Sequence, residues 1–464
     1  MKVAFNRTKI TPKDYIGKPM AGYSRKDPCL GKLDDINAYG VLINIDSGNN
    51  KHHLLLISVD TLKLPLSIVE YIKKRLILKF KPLKPNEIFL HATHTHSSFD
   101  LTGEFYYPGG VLGFIKGVMF ADNKNDRFIV WMTNRIVRMV SKLFEDLEPC
   151  TIAWKKEGFN PDIVLNRRWP TRKVLPDLGI IAFKKLEDTK LIGIIINYSC
   201  HPTTLSHNNN KLSADFPGRV ISKIDDLTSG SIKAIYFNGP SGDLNPITTS
   251  GTNIDKIDKD KTLSYDQLGT YKHTKKIGYA IGKEALKVAN SIPEADYSTL
   301  TEVDIYTKRL LIPQKDAKYY SKVWFSNKVK WLLKKYFLFK IAKFDYKLVN
   351  FPFFTVERKN FKNYGKTVVS FIKFTVGNNN TFGILTIPGE LFEDIGKNLI
   401  SHAPTKMKNT LIFQNTQDWI GYLFPLEMYI KEGGYEPFMC FSPLCGAYIE
   451  NDAKKLLKEI KDKS

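Results

Sequence analysis

Two features of the sequence predict an α/β protein with a β-sheet core flanked by helices. The first is a set of short β-branched runs: Leu54 to Val59, Ile88 to Leu90, Leu191 to Ile196, Ala234 to Phe237, Gly383 to Ile387 and Leu411 to Phe413. They alternate with longer stretches, such as Asp126 to Leu147, in which apolar residues recur at helical spacing. The second is that polar residues cluster directly after the runs. Open α/β sheets bind ligands beyond the carboxyl ends of their strands, so such clusters are where a site is expected.

Five exits stand out. Ile88-Phe89-Leu90 leads into His91-Ala92-Thr93-His94-Thr95-His96-Ser97, and Ile194-Ile195-Ile196 into Asn197-Tyr198-Ser199-Cys200-His201-Pro202. Ile235-Tyr236-Phe237 gives way to Asn238-Gly239-Pro240-Ser241-Gly242-Asp243, Leu385-Thr386-Ile387 to Pro388-Gly389-Glu390, and Ile412-Phe413 to Gln414-Asn415-Thr416-Gln417-Asp418. The five are expected to converge on one crevice.

Composition narrows the classes. Of 464 residues, 43% are hydrophobic and 25% charged, which fits a globular chain and excludes a disordered one. No apolar run reaches the roughly 18 residues that span a bilayer. Lys and Arg number 69 against 47 Asp and Glu, a formal charge of +22. That excess suits phospholipid headgroups, nucleic acid or acidic glycans, and equally a solvated basic surface. Five cysteines, odd in number and without zinc-finger spacing, suggest no disulfide framework and fit a reducing compartment. The opening stretch from Met1 to Pro12 has no apolar core of a secretory signal, so either a cytoplasmic or peripheral-membrane location or a trimmed leader is expected. No sequence repeat or hinge divides the chain, so residues 1–464 are expected to form a single domain.

His94 and His96 are one residue apart, and on an extended segment their rings would leave the same face. Neutral imidazole is a common zinc ligand, so the pair reads as a metal signal or as two hydrogen-bonded core histidines. His201 stands before Pro202, where a strand tends to stop. Glu390 follows the turn pair Pro388-Gly389 and reads as a carboxylate at a strand rim or at the start of a helix near Leu391. Tyr422 alone reads as a buried aromatic residue.

Taken together the motifs resemble a known family. Met20-Ala21-Gly22-Tyr23, Thr93-His94-Thr95-His96-Ser97, Asn166-Arg167, His201-Pro202-Thr203, Gly242-Asp243 with Pro246, Pro388-Gly389-Glu390 and Tyr435-Glu436 occur in the order found in the neutral/alkaline non-lysosomal ceramidases, over nearly the whole chain. The resemblance implies that family's catalytic domain, a mixed β-sheet core flanked by helices, without the immunoglobulin-like domain that follows in ceramidases. It implies zinc held by His94, His201, Glu390 and Tyr422. It also implies contact of His96, Arg167 and Tyr435 with the substrate amide or the charge developing on it.

The expected chemistry is zinc-dependent amide hydrolysis of an N-acyl compound, a ceramide-like lipid amide first, by attack of a metal-bound water. His96 would carry a proton to the leaving amine, and Arg167 would stabilise the oxyanion. Asn245 stands where ceramidases carry a serine, which excludes a serine nucleophile there. Asp243 and Asp215 read as turn-forming residues or supports for the ligands. An N-deacylase for an amino sugar or other small amide is the nearest alternative, and a non-catalytic anionic-lipid-binding protein is an alternative of another class.

A basic aromatic insertion is expected at 314–350. Residues 318–347 hold nine lysines and one acid, Asp345, among Trp324, Phe325, Trp331, Phe337 and Phe339. This suits peripheral contact with an anionic membrane or a partly buried helix with snorkelling lysines. Beyond charge, nothing points to nucleic acid, and no nucleic-acid partner is expected.

Overall fold

The structure is a computed structural model that describes residues 1–23, 25, 27–47, 50–102, 126–248, 269–313, 358–359, 362–377, 380–404, 409–428 and 435–463. The basic segment at 318–347, and nearly all of the expected insertion at 314–350, lie outside the described residues.

The longer elements follow one another as β1 (Lys2–Lys9), β2 (Asn37–Ser47), β3 (Asn50–Val59), α1 (Leu66–Lys79), β4 (Ile88–Ala92) and α2 (Asp126–Glu145). Next come β5 (Glu148–Gly158), β6 (Asp177–Lys185), β7 (Leu191–Tyr198), α3 (Asp215–Thr228), β8 (Lys233–Asn238) and α4 (Tyr271–Asn290). The chain closes with β9 (Leu300–Pro313), β10 (Lys362–Val376), β11 (Asn380–Thr386), α5 (Glu393–Ser401), β12 (Thr410–Phe413) and α6 (Cys445–Lys463).

The expected mixed sheet flanked by helices is present. Eight strands form one sheet in the order β8-β7-β6-β5-β1-β2-β3-β4, parallel at β3–β4 and β7–β8 and antiparallel elsewhere. A second sheet runs β9-β10-β11-β12 and is parallel at β11–β12. The two sheets share a core in which Phe237 stacks on Phe413 at 4.2 Å and Trp154 on Phe382 at 4.6 Å. Because β4 is covered on both faces, all five of its residues are buried, and its sequence is a continuous run with no polar alternation.

Although the sequence shows no repeat, the topology does. Among the longer elements of the described residues, three antiparallel strands, a helix, a fourth strand parallel to the third, and a second helix follow one another three times. A parallel neighbour requires a crossover, and α1, α3 and α5 supply it in the three units. Each unit therefore has two strands, the third and fourth, whose carboxyl ends point the same way, and these ends carry the polar clusters.

The amphipathic stretch at Asp126 forms α2, which buries Phe128, Ile129, Met132, Ile136, Val140 and Leu143. The helix expected near Leu391 starts at Glu393, so Glu390 precedes it. Among the described residues no helix is long and apolar enough to cross a membrane.

Candidate metal centre

Backbone hydrogen bonds join the strand exits directly. Gln414 N–H donates to the Asn238 carbonyl, Gln417 N–H to Leu90, Ala92 N–H to Asn415, His201 N–H to Leu244 and Gly242 N–H to Leu391. The exits thus meet at one place in the fold. His94 follows the fourth strand of the first unit, His201 the third strand of the second, and Glu390 and Tyr422 the third and fourth of the last.

His94 does not lie on a strand. β4 ends at Ala92, and His94 has φ of 65°, a left-handed conformation unusual for a residue with a Cβ. The same-face argument for His94 and His96 therefore fails in its geometry, although the rings do meet. His94 Nε2 lies 3.4 Å from His96 Nε2, which is 3.3 Å from His201 Nε2. Glu390 Oε2 faces His94 Nε2 at 3.3 Å and His201 Nε2 at 3.6 Å. His94, His201 and Glu390 are each 2% exposed.

The hydrogen bonds fix the tautomers of two rings. His94 Nδ1 donates to the Leu62 carbonyl at 2.6 Å and His201 Nδ1 to the Ser241 carbonyl at 3.1 Å, because a carbonyl can only accept. Burial holds the His201 pKa down at about 3, so that ring is neutral. Its Nε2 then carries a lone pair aimed at its neighbours. Burial alone would raise the Glu390 pKa, but positive charge at the facing histidines, His94 first, and a bond from Trp419 hold it at about 2, so it is ionised. Lone pairs and a carboxylate converging in a dry site call for a cation, and His94, His96 and His201 bring nitrogens within 4.8 Å of one another. A divalent ion fits between His94, His201 and Glu390, with His96 beside them.

His96 is placed by packing. Its ring lies 4.8 Å from that of Tyr23, and Gly22, at φ 94°, leaves room for it: a Cβ there would come within 2.6 Å of the ring. Arg25 Nη2 donates to the His96 carbonyl at 2.7 Å. The motif around Gly22 is legible in the sequence, but its contact with His96 is not.

Tyr422 pairs with Glu390 in a short parallel bridge, and its ring stacks near His201 at 6.3 Å. Its hydroxyl lies 3.1 Å from the Tyr435 hydroxyl. Tyr435 itself is 46% exposed. Arg167 lies over both rings, 4.8 Å from Tyr435 and 5.2 Å from Tyr422. Its Nε and Nη2 donate to the Gly242 carbonyl, and Nη2 also meets Glu436 at 3.0 Å. Glu436, buried between Arg167 and Arg168, carries no signal of its own in the sequence that marks it as a site residue, and nor does Trp419.

Asp243 and Asp215 are both buried and hold neighbouring segments together. Asp243 accepts from Asn166 Nδ2 at 2.7 Å and from Glu393 N–H at 2.8 Å, tying the β8 exit to the start of α5. Asp215 accepts from the Leu205 and Phe216 amides at the start of α3. Asn245 is buried in a short strand opposite Leu165.

Comparison with solved structures places this architecture. Neutral ceramidase from Pseudomonas aeruginosa aligns with a TM-score of 0.70 at 14% identity, covering 100% of this chain and 74% of that one. The chain has the neutral ceramidase fold. A ceramidase described as complexed with C2 aligns with the same TM-score and identity, covering 100% of this chain and 75% of that one. No protein-family model matches the sequence, and no curated protein matches it. Likeness of shape at this identity speaks for the ceramidase fold, while the chemistry rests on the residues above.

Proposed function

We propose that this chain is a zinc-dependent amide hydrolase acting on an N-acyl compound, with a ceramide-like lipid amide first among its substrates. The observation that supports this most directly is the convergence of His94, His96, His201 and Glu390 within the neutral ceramidase fold. His94, His201, Glu390 and Tyr422 would hold the ion. When bound, zinc lowers the pKa of a coordinated water to about 7 and polarises a carbonyl.

The chain's own groups supply the rest. His96 Nε2, beside both other imidazoles, is the group placed to take up a proton and pass it to the leaving amine. Tyr435, its hydroxyl 3.1 Å from that of Tyr422, would donate a hydrogen bond to the substrate. Arg167, committed through Nε and Nη2, acts by its fixed positive charge over both phenol rings, which favours negative charge developing on the substrate oxygen. Burial of the ligands keeps bulk water from screening these interactions.

Product analysis tests the proposal. The purified protein is incubated with a short-chain ceramide and with an N-acetylated amino sugar, with and without zinc after chelation. Fatty acid released from ceramide only with zinc supports the reading. Acetate released from the amino sugar alone would move the substrate to a small amide, the reading that Asn245 favours. Absence of hydrolysis combined with binding to anionic lipid would replace the enzyme reading with that of a lipid-binding protein.

A further inference from the structure

We infer that Trp419 is a positioning residue for the metal centre, its indole N–H holding one oxygen of Glu390 so that the other alone faces the histidines. This rests on the reading of that centre as a metal site. Trp419 Nε1 donates to Glu390 Oε1 at 2.9 Å, while Oε2 is the atom that faces His94 and His201. A carboxylate can ligate through one oxygen or both. With Oε1 engaged by a buried donor, Glu390 is set up to ligate through Oε2 only, and its ring-facing geometry is fixed before any ion arrives.

The indole is itself held on several sides. Lys63, 4% exposed, places Nζ 4.2 Å from the Trp419 ring, an approach that pins the ring face. The adjacent Asp418 accepts the Trp419 amide at 2.7 Å and the Leu66 amide at 2.8 Å through Oδ1, and the Thr367 hydroxyl at 2.7 Å through Oδ2. Gln417 clamps β4, its Nε2 donating to the Ile88 carbonyl at 2.9 Å and its Oε1 accepting from Leu90 N–H at 3.3 Å. On the other side Ile420 N–H donates to the Pro388 carbonyl and Glu390 N–H to the Gly421 carbonyl. Residues 417–421 thus form a rigid turn tied to the strand behind His94, to the start of α1, to β10 and to the Glu390 segment. A side chain mounted there has little freedom, which is what a support for a metal ligand requires.

Trp419→Phe tests this because it keeps an aromatic ring and removes the N–H. Zinc affinity is measured by competition with a chromophoric chelator, and the cobalt-substituted form is compared by its visible absorption. The expected result is a zinc Kd weakened by about 10- to 100-fold and a changed cobalt spectrum, with circular dichroism unaltered. If Trp419→Phe fails to fold, benzothienylalanine at position 419, isosteric with tryptophan but without the N–H, is expected to give the same loss. Wild-type affinity and spectrum in the folded variant overturn the inference, as does a lowered Tm with unchanged metal affinity, which would assign Trp419 to packing alone. A wild-type protein that binds no metal overturns the metal reading and this inference together, whereas tight binding in wild type and variant alike removes only the role of Trp419.

Discussion

The Nε2 atoms of His94 and His96 lie 3.4 Å apart with one residue between them, because the backbone turns through a left-handed conformation at His94 just after β4 has ended. That turn also sets His94 Nε2 against Glu390, contributed from more than 290 residues away in the chain. The purified protein is expected to carry about one equivalent of zinc by emission spectrometry. His94→Ala and His201→Ala should each lose metal and activity while circular dichroism stays unchanged. Stoichiometric zinc in a folded double variant would refute the ligand assignment.

His96→Ala should lower turnover by roughly 10²-fold or more and retain metal, as expected when a proton-transfer group is lost. Asn245→Ala should leave appreciable turnover, since Asn245 sits in a short strand opposite Leu165. Steady-state rates and metal content of the two variants decide this. Equal, near-total loss in both would overturn the division of roles.

Gly22→Ala tests how His96 is placed. The added Cβ would meet the His96 ring at 2.6 Å, at a φ of 94° that side chains rarely adopt. Activity is expected to fall at least as far as in His96→Ala, with a Tm lower by several degrees. A variant with wild-type kcat would show that the ring has room to move without consequence.

His91 gives a pH dependence whose sign can be worked out. Burial holds its pKa at about 3, with Nδ1 on the Ser58 hydroxyl at 2.9 Å and Nε2 accepting from Asn238 N–H at 3.1 Å. An unfolded histidine titrates near 6.5, so the stability His91 contributes is present above that pH and is lost as pH falls below it. His91→Gln keeps a donor and an acceptor but cannot be protonated. The stability difference between wild type and variant, from urea unfolding in chelator, should shift against wild type by up to about 1.4 kcal/mol per pH unit below 6.5. A difference that is flat from pH 7 to 5 would contradict the assignment.

The segment at 318–347 is expected to govern access to insoluble substrate and not the chemical step, because its lysines and aromatics suit an anionic, partly apolar boundary. Replacing Trp324, Trp331, Lys334 and Lys335 together should weaken sedimentation with anionic vesicles, and salt should mimic the loss, each lysine contributing about 1 kcal/mol. Turnover of a soluble N-acyl substrate should change little. Absent vesicle binding in the wild type, or collapse of soluble-substrate turnover in the variant, would remove the membrane reading.

Much of this architecture is legible in the order of residues. The alternation of β-branched runs and helical patterns points to α/β, and the polar exits locate His94, His201, Glu390 and the Gln414 to Asp418 turn, because strand termini are where polar groups can stand clear of a buried sheet. What spacing along the chain does not reveal is tertiary. The His94 turn violates the extended geometry on which the same-face argument depends. Trp419 reads as an ordinary core residue, since the direction of an indole N–H is set by packing and not by its neighbours in the chain. Glu436 stands in the sequence only as part of a motif, and its position between Arg167 and Arg168 depends on bringing distant segments together. The threefold recurrence of the unit leaves no trace in residue identities, because it is carried as strand direction and crossover, which many sequences satisfy.

That recurrence bears on how an ion and folding are linked. The candidate donors come from three different units, and the two histidine exits and the Glu390 exit meet only after all three have formed and docked. A nascent chain carrying only the first unit offers His94 and His96 without the other candidate donors. In the finished fold, an ion that binds only the native state adds RT ln(1 + [ion]/Kd) to the stability of the whole assembly. Slowed hydrogen exchange on loading would therefore extend to strands remote from the histidines, wherever exchange requires the units to separate.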